Sequence, residues 1–203
     1  EEVRWAILIP DALGRRLPGV RRRLISGAGP ERREVVADLG AAGAGAAPAL
    51  AELIADPDSL IREQALWALL QIGGRTALES IADLLSAADS NLRMTAALAL
   101  GKSKQADAAG YLYNTIDDDN EVVACTALKA LEELGARQPH EALKGAIADP
   151  RWRVRAMAAK VIGNLKIKDF APLLKRLIDD GDPFVVKSAL AALRKLGSAP
   201  SMV

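Results

Sequence analysis

The feature that most constrains this chain is a sequence repeat of 31 residues. Two apolar columns recur at this spacing through five consecutive rows without a gap: Ile61, Leu92, Val123, Val154 and Val185, and then Leu69, Leu100, Leu131, Ile162 and Leu193. An earlier row, residues 32–43, fits the same register after a deletion of one residue. Self-similarity at a fixed period of this size is the signature of an architecture in which each repeat packs on its neighbours.

The apolar residues within a row follow helical spacing. Val154, Ala158 and Ile162 lie on one face of a helix. Asp149-Pro150 precedes them and is typical of a turn that leads into a helix. Each row also contains an earlier apolar helix, and linkers of about two to five residues between helices favour antiparallel neighbours. The sequence therefore predicts an all-α fold of about six helix pairs in one continuous domain, residues 1–203.

The register also predicts where each repeat begins and ends. We expect an N-terminal cap helix at residues 1–13, repeats at 14–43, 44–73, 74–104, 105–135, 136–166 and 167–197, and a tail at 198–203. Gly101 and Gly163 stand three residues earlier in their rows than Gly73, Gly135 and Gly197. Because glycine often ends a helix, the second helices are predicted to alternate in length by about one turn.

Composition excludes several classes of protein. Half of the residues are apolar but only 3% are aromatic, which suits close helix packing and gives a sheet little to pack with. The single cysteine, Cys125, excludes a disulfide framework and a cysteine zinc site. No apolar run approaches the length of a transmembrane helix. The 27 basic and 26 acidic residues balance, so net charge identifies no partner. The chain begins with Glu1, and we expect it to be a piece of a longer protein, located in the cytoplasm.

One row carries a family resemblance. Asp149-Pro150, Val154-Arg155, Ala158-Ala159 and Ile162-Gly163 together resemble the HEAT repeat, and more narrowly the short bacterial HEAT-like repeat named for phycobilisome lyases. The resemblance covers roughly residues 14–197. It implies a right-handed α-α superhelix in which the second helix of each pair lines a concave surface used for binding.

The resemblance also implies Asp–Arg hydrogen bonds between neighbouring repeats. The family's pair, six residues apart, is present as Asp56/Arg62 and Asp149/Arg155 and half present as Arg93, Asp118 and Asp180. The pattern is broken at Ala87, Ala124 and Val186, so adjacent repeats are expected to be coupled unequally.

The side of each second helix that faces away from the core is unusually apolar. If Ile61 and Leu69 face the core, Leu60 and Trp67 share the opposite side, and the same register continues down the later rows. Aromatic residues and Met are enriched at contact surfaces, and a contiguous apolar patch usually marks a binding site.

We therefore predict a groove for a protein partner, an extended or helical segment that is apolar with acidic flanks. Its predicted contacts are Leu60, Trp67, Met94, Leu98, Lys102, Val122, Lys129, Trp152, Met157, Lys160 and Phe184. The alternative is that Trp67 and Trp152 are tucked between helices and that the other apolar residues are scattered.

Seven arginines within 19 residues form the largest charge cluster: Arg15, Arg16, Arg21, Arg22, Arg23, Arg32 and Arg33. They form either a solvated convex face or a site for an anionic partner, such as an acidic protein surface, phosphate or lipid headgroups. No aromatic residues of the kind that stack on bases are interleaved with them, which argues against nucleic acid.

Residues suited to catalysis are sparse. The single histidine, His140, lies beside Glu141, whereas the architecturally similar deoxyhypusine hydroxylases use several His-Glu pairs to bind iron. The acidic turn Asp117–Asp119, with Asn120 and Glu121, is expected to be solvated and to cap the following helix through Asp118 to Asn120. A calcium site is the alternative, and the missing glycine and terminal glutamate of an EF-hand loop argue against it. We therefore expect a non-enzymatic scaffold without metal or cofactor. The alternatives are a bilin lyase-type subunit, by resemblance alone, a nucleic-acid binder, and a designed repeat array.

Overall fold

The computed structural model describes residues 14–15, 17–137 and 141–198. Over these residues it contains twelve α-helices and no β-strand: α1 Val20–Ser26, α2 Gly29–Ala42, α3 Ala47–Leu53, α4 Ser59–Ile72, α5 Gly74–Asp83, α6 Ser90–Lys102, α7 Ala108–Thr115, α8 Glu121–Leu134, α9 Glu141–Ile147, α10 Trp152–Leu165, α11 Ala171–Arg176 and α12 Pro183–Lys195. The predicted all-α repeat fold is confirmed. The predicted cap helix at 1–13, the tail beyond residue 198, Arg16 and His140 lie outside the described residues.

The helices divide into two compact units, Glu1–Ala88 and Asp89–Val203. In the first unit α2 packs against α4, and α3 contacts both α4 and α5. In the second unit α6, α8, α10 and α12 pack one after another as one layer, while α7, α9 and α11 form the other layer. Helices of the same layer are 31 residues apart in sequence, so the repeat becomes a stack of helix pairs within the unit.

The core consists of the columns that the 31-residue register predicts. Ile61, Ala65 and Leu69 on α4 are completely buried, and so are their counterparts on the later second helices, except Leu92 on α6, which is only half-buried. The first helices contribute Leu50, Leu53, Ile81, Leu112 and Leu174, which are buried to the same degree. Because these residues lie on one stripe of each helix, the opposite stripe of the second helices is left towards solvent.

Side-chain caps recur at the start of the second helices. Asp58, Asp89, Asn120 and Asp182 each accept a hydrogen bond from the backbone N–H two residues further on, which belongs to Leu60, Asn91, Val122 and Phe184, at 2.8–2.9 Å. Such a cap satisfies one of the free N–H groups of the first turn. Because the cap fixes the first turn, it also fixes where the side chains of Leu60, Val122 and Phe184 project from their helices. The capping role predicted for the acidic turn before α8 is confirmed at Asn120.

The prediction that the second helices alternate in length was wrong. From α4 to α12 each is 13 or 14 residues long, and Gly101 and Gly163 lie inside α6 and α10. A Cβ built at Gly101 would lie 2.8 Å from the Cβ of Ala130 on α8, and one built at Gly163 would lie 2.6 Å from the Cα of Ala192 on α12. These glycines therefore do not end helices. They allow two neighbouring helices to approach closely.

Arginine–aspartate bridges link the same helix pairs. Arg93 at the start of α6 donates two hydrogen bonds to the Asp118 carboxylate, at 2.7 and 2.9 Å, and Arg155 on α10 donates two to Asp180, both at 2.8 Å. In the first unit Arg32 pairs with Asp56 through a single hydrogen bond from its Nη2. These bridges recur at about twice the 31-residue period, at the helix pairs that also share a glycine contact. The structural period of the chain is therefore two repeats.

Candidate partner-binding surface

The pair α8 and α10 lacks the standard bridge, because the position of Arg93 and Arg155 is occupied by Ala124. Arg151, at the start of α10, takes over that role. Its Nε and Nη2 donate to the Asp149 carboxylate at 2.9 and 2.7 Å, and its Nη1 donates to the main-chain oxygens of Asp118 and Asp119 at 2.7 and 3.1 Å. Arg151 stands at the position where the other helices carry a capping Asp or Asn, so α10 has no side-chain cap.

An open pocket of about 400 Å³ lies on the exposed side of α8, α10 and α12, within the second unit. We call it the Trp152 pocket. Its lining residues are Glu121, Val122, Cys125, Trp152, Arg153, Ala156, Met157, Lys160, Phe184 and Ser188. Five of them, Val122, Trp152, Met157, Lys160 and Phe184, belong to the contacts predicted from the sequence. The exposed fraction is 57% for Val122 and 61% for Phe184, which is high for such large apolar side chains.

The wall of the pocket is built from three stacked side chains. The Arg153 guanidinium lies 4.6 Å from the ring centroid of Trp152, and the Trp152 and Phe184 rings stack with centroids 5.4 Å apart and planes 26° apart. Arg153 also donates to Glu121 at 2.9 Å. These contacts join α8, α10 and α12, so the wall has a defined geometry before any ligand binds. Trp152 is half-buried and serves as support, while the outer face of Phe184 is open to solvent.

Cys125 contributes a half-buried thiol to the pocket. Burial raises the pKa of this thiol above its ordinary value, and the nearby Glu121 carboxylate raises the pKa further. The thiol is therefore neutral near pH 7, and in this state it behaves as a small apolar group.

The remaining predicted contacts are placed on the same side of their helices but outside the Trp152 pocket. In the second unit Met94 and Leu98 on α6 are half-buried, and Lys102 and Lys129 are exposed. In the first unit Leu60 and Trp67 on α4 are 51% and 55% exposed. Trp67 is therefore not tucked between helices, whereas Trp152 partly is.

Sequence reasoning did not select Glu121, Cys125, Arg153, Ala156 and Ser188 as site residues. Arg153 and Ser188 lie on the predicted stripe, but the prediction selected its apolar residues and lysines and therefore left these two out. Glu121, Cys125 and Ala156 lie one position to the side of that stripe, and they reach the pocket because it spans three neighbouring helices. A pocket that extends over three helices could not be predicted from the residues of one stripe.

Two arginines of the cluster, Arg23 and Arg32, are paired with carboxylates of the first unit. Arg23 pairs with Glu34 at 2.9 Å and Asp38 at 3.2 Å, and Arg32 pairs with Asp56 and donates to the Leu24 main-chain oxygen. An open pocket of about 410 Å³ is lined in part by Arg15, Arg21 and Arg22. Arg33 is half-buried. The predicted anion site therefore remains a prediction, and at least two of its arginines have carboxylate partners.

In the described part of the chain no group of three or more His, Cys, Asp or Glu side chains is arranged to hold a metal ion. Among the described helices none combines the length and the apolar character needed to cross a bilayer.

Comparison with known proteins identifies the family. A family model described as HEAT repeats matches residues 47–132 and 140–202, which is well over half of the chain. The protein belongs to the HEAT repeat family. The predicted resemblance is thereby confirmed. The helix pairs described above are HEAT repeats, and the Asp–Arg bridges are contacts between neighbouring repeats. No curated protein matches the sequence.

Solved structures similar to this HEAT protein are helical repeat proteins. A designed armadillo repeat protein in complex with the peptide (KR)4 is 22% identical, with 89% of this chain and 99% of that chain covered and a TM-score of 0.54. A computationally designed armadillo repeat protein for modular peptide recognition is 20% identical, with coverage of 88% and 99% and a TM-score of 0.50. The phycocyanin lyase complex of CpcE and CpcF from Nostoc sp. PCC7120 is 24% identical, with coverage of 87% and 75% and a TM-score of 0.47. At these identities the likeness concerns the fold alone.

Proposed function

We propose that this HEAT repeat protein is a non-enzymatic scaffold that binds a segment of a partner protein in the Trp152 pocket. The observation that carries the proposal is the exposure of Val122 and Phe184, 57% and 61%, on either side of an open pocket of about 400 Å³. Large apolar side chains that are held in place and left exposed around a concavity are typical of a binding surface.

The charge around the pocket favours an acidic segment. Lys160 is exposed and lines the pocket, while Arg153 holds the Glu121 carboxylate at the rim. The ligand that fits is a bulky apolar side chain, placed against Phe184, with an Asp or Glu nearby that reaches Lys160. The designed armadillo protein above carries a basic peptide, (KR)4, so the proposed ligand has the opposite charge.

A peptide display library screened against the full chain tests this proposal. We expect the selected peptides to combine a bulky apolar residue with Asp or Glu within a few positions. The variant Val122→Glu/Phe184→Glu should bind them at least about 30-fold more weakly, which corresponds to about 2 kcal/mol and is the size of an interface hot spot. Both side chains are mostly exposed, so circular dichroism should show an unchanged fold.

The comparison variant is Leu60→Glu/Trp67→Glu, which places two carboxylates on exposed apolar positions of the first unit. Leu60 and Trp67 are contacts predicted from the sequence that do not line the Trp152 pocket, so the variant tests whether binding is confined to that pocket. This variant should retain the selected peptides. Enrichment of peptides without acidic residues would contradict the proposed ligand, and equal binding by the Val122→Glu/Phe184→Glu variant would contradict the proposed site.

A further inference from the structure

The contact between α8 and α10 is constructed differently from the two contacts beside it. At α6–α8 and α10–α12 a glycine faces an alanine, and there is no room for a Cβ on the glycine. In the 31-residue register the corresponding residues of α8 and α10 are Glu132 and Val161. Neither is small, and Val161 is fully buried. The distance between packed helices follows the side chains at their contact. The close backbone approach seen at the glycine contacts is therefore blocked here.

Polar bridges along the length of the two helices take the place of that close contact. Near their C-terminal ends, Asn164 donates to the Glu132 carboxylate at 2.6 Å. Near their N-terminal ends, Arg153 donates to Glu121 at 2.9 Å. In the preceding loop Arg151 donates to the main-chain oxygens of Asp118 and Asp119. These hydrogen bonds connect α8 and α10 across a wider gap than a glycine–alanine contact would leave.

The Trp152 pocket lies across this contact, with Val122 and Cys125 on α8 and Trp152, Ala156 and Met157 on α10. We infer that Glu132 and Val161 act as spacers that set the separation of α8 and α10, and that they thereby determine the width of the pocket and the size of side chain it accepts. The inference deepens the proposed function, because it concerns the specificity of the same site. The width itself is a property of the chain and can be measured without a partner.

Cys125 provides the measurement, because it is the single cysteine of the chain and lines the pocket on α8. The full chain is alkylated with a small reagent, iodoacetamide, and with a bulky one, fluorescein maleimide, and the ratio of the two rates is compared between variants. Glu132→Gly/Val161→Ala gives α8 and α10 the glycine–alanine contact found at the neighbouring pairs. We expect the ratio of bulky to small reagent to fall about fivefold, which corresponds to about 1 kcal/mol in access.

Two further variants keep the result interpretable. Glu133→Gly introduces the same glycine one residue along α8 at an exposed position, and its ratio should equal that of the wild type. Glu132→Ala removes the long side chain and its bond to Asn164 while preserving helix propensity. If the double variant does not fold, the rate ratio of this single variant tests the spacer role. An unchanged ratio in every folded Glu132 variant would overturn the spacer role. The proposed function would be unaffected by that outcome, since it is judged by peptide binding.

Discussion

Arg151 donates a hydrogen bond of 2.7 Å to the main-chain oxygen of Asp118, the group that an arginine at position 124 would contact in the pattern of its neighbours. The pattern is visible at Arg155, whose Nη1 donates to the main-chain oxygens of Asp149 and Pro150, six and five residues before it. Arg62 does the same with Asp56 and Pro57. A missing arginine on α8 is thus replaced from the following repeat, at the expense of the N-cap of α10.

Replacing Arg151 should therefore cost more than replacing an ordinary surface arginine. Arg151→Asp is expected to lower the free energy of unfolding by about 2–3 kcal/mol, because two main-chain oxygens lose their arginine donor and the Asp149 carboxylate keeps only the backbone N–H of residue 151. Adding Ala124→Arg should recover most of this loss, since the double variant has the arrangement found at Arg93 and Arg155, with an Asp at the cap position. Urea unfolding of the three proteins is the measurement. If the double variant is no more stable than Arg151→Asp, then Arg151 does not take the structural role of the arginine that is missing at position 124.

A control for that experiment is available two residues away. Arg153→Ala removes an ion pair whose side chains are 60% and 27% exposed, together with a cation–π contact. Pairs of this kind contribute about 1 kcal/mol or less. We expect this variant to be clearly more stable than Arg151→Asp.

The bridging aspartates predict a loss of stability in acid. The hydrogen bonds from Arg93, Arg151 and Arg155 hold the pKa of Asp118, Asp149 and Asp180 below the ordinary value of 3.8. The unfolded chain therefore takes up protons at a higher pH than the folded chain. The stabilisation is present above about pH 4 and is lost as the pH falls through the lower pKa of the folded state.

Asp180→Asn tests this acid dependence. The variant has one fewer group that titrates differently in the two states, so its stability should fall less steeply below about pH 4, by at most about 1.4 kcal/mol per pH unit. Urea unfolding at a series of pH values gives the slope. Asp83→Asn, which removes an exposed carboxylate outside the bridges, is the control for the loss of one acidic group. If it changed the slope as much as Asp180→Asn does, the effect would not be specific to the Arg155 bridge. A wild-type slope in Asp180→Asn would mean that the Arg155 bridge does not contribute to the acid dependence.

Gly101 and Gly163, inside the second helices, should respond to alanine in the opposite way from Gly110, a helical glycine without a close neighbour. Gly101→Ala and Gly163→Ala place a Cβ at 2.8 Å from the Cβ of Ala130 and 2.6 Å from the Cα of Ala192, and each should lower the unfolding free energy by about 1–3 kcal/mol. Gly110 on α7 has no neighbour within 4 Å of a built Cβ. Gly110→Ala should therefore stabilise the protein by about 0.5–1 kcal/mol, the usual helix preference for alanine. Stabilisation by all three substitutions would exclude a packing role for Gly101 and Gly163.

These glycines show how far the sequence could predict the structure. The 31-residue register identified the helix pairs and the buried columns, because periodic burial is a property of one helix at a time. The same register misjudged Gly101 and Gly163, since a glycine that ends a helix and one that admits a neighbouring helix look alike in sequence. Arg151 was missed for a related reason: its contacts lie 32 and 33 residues back in the chain. The Trp152 pocket was predicted only along its exposed stripe, because its width comes from the spacing of three helices.

The pH dependence of Cys125 alkylation is a final prediction and also calibrates the thiol as a reporter. Burial and the Glu121 carboxylate raise the pKa of Cys125, so the thiol is protonated and slow to react near pH 7, and its rate with iodoacetamide should rise with pH to a midpoint above that of an exposed cysteine. Glu121→Gln removes one cause of the raised pKa and leaves Arg153 without its carboxylate partner, and both effects favour the thiolate. The midpoint should therefore shift to lower pH in this variant. A midpoint that stays in place would show that the Glu121 carboxylate does not contribute to the raised pKa, and the rate ratio measured in the spacer variants would then need no correction for this charge.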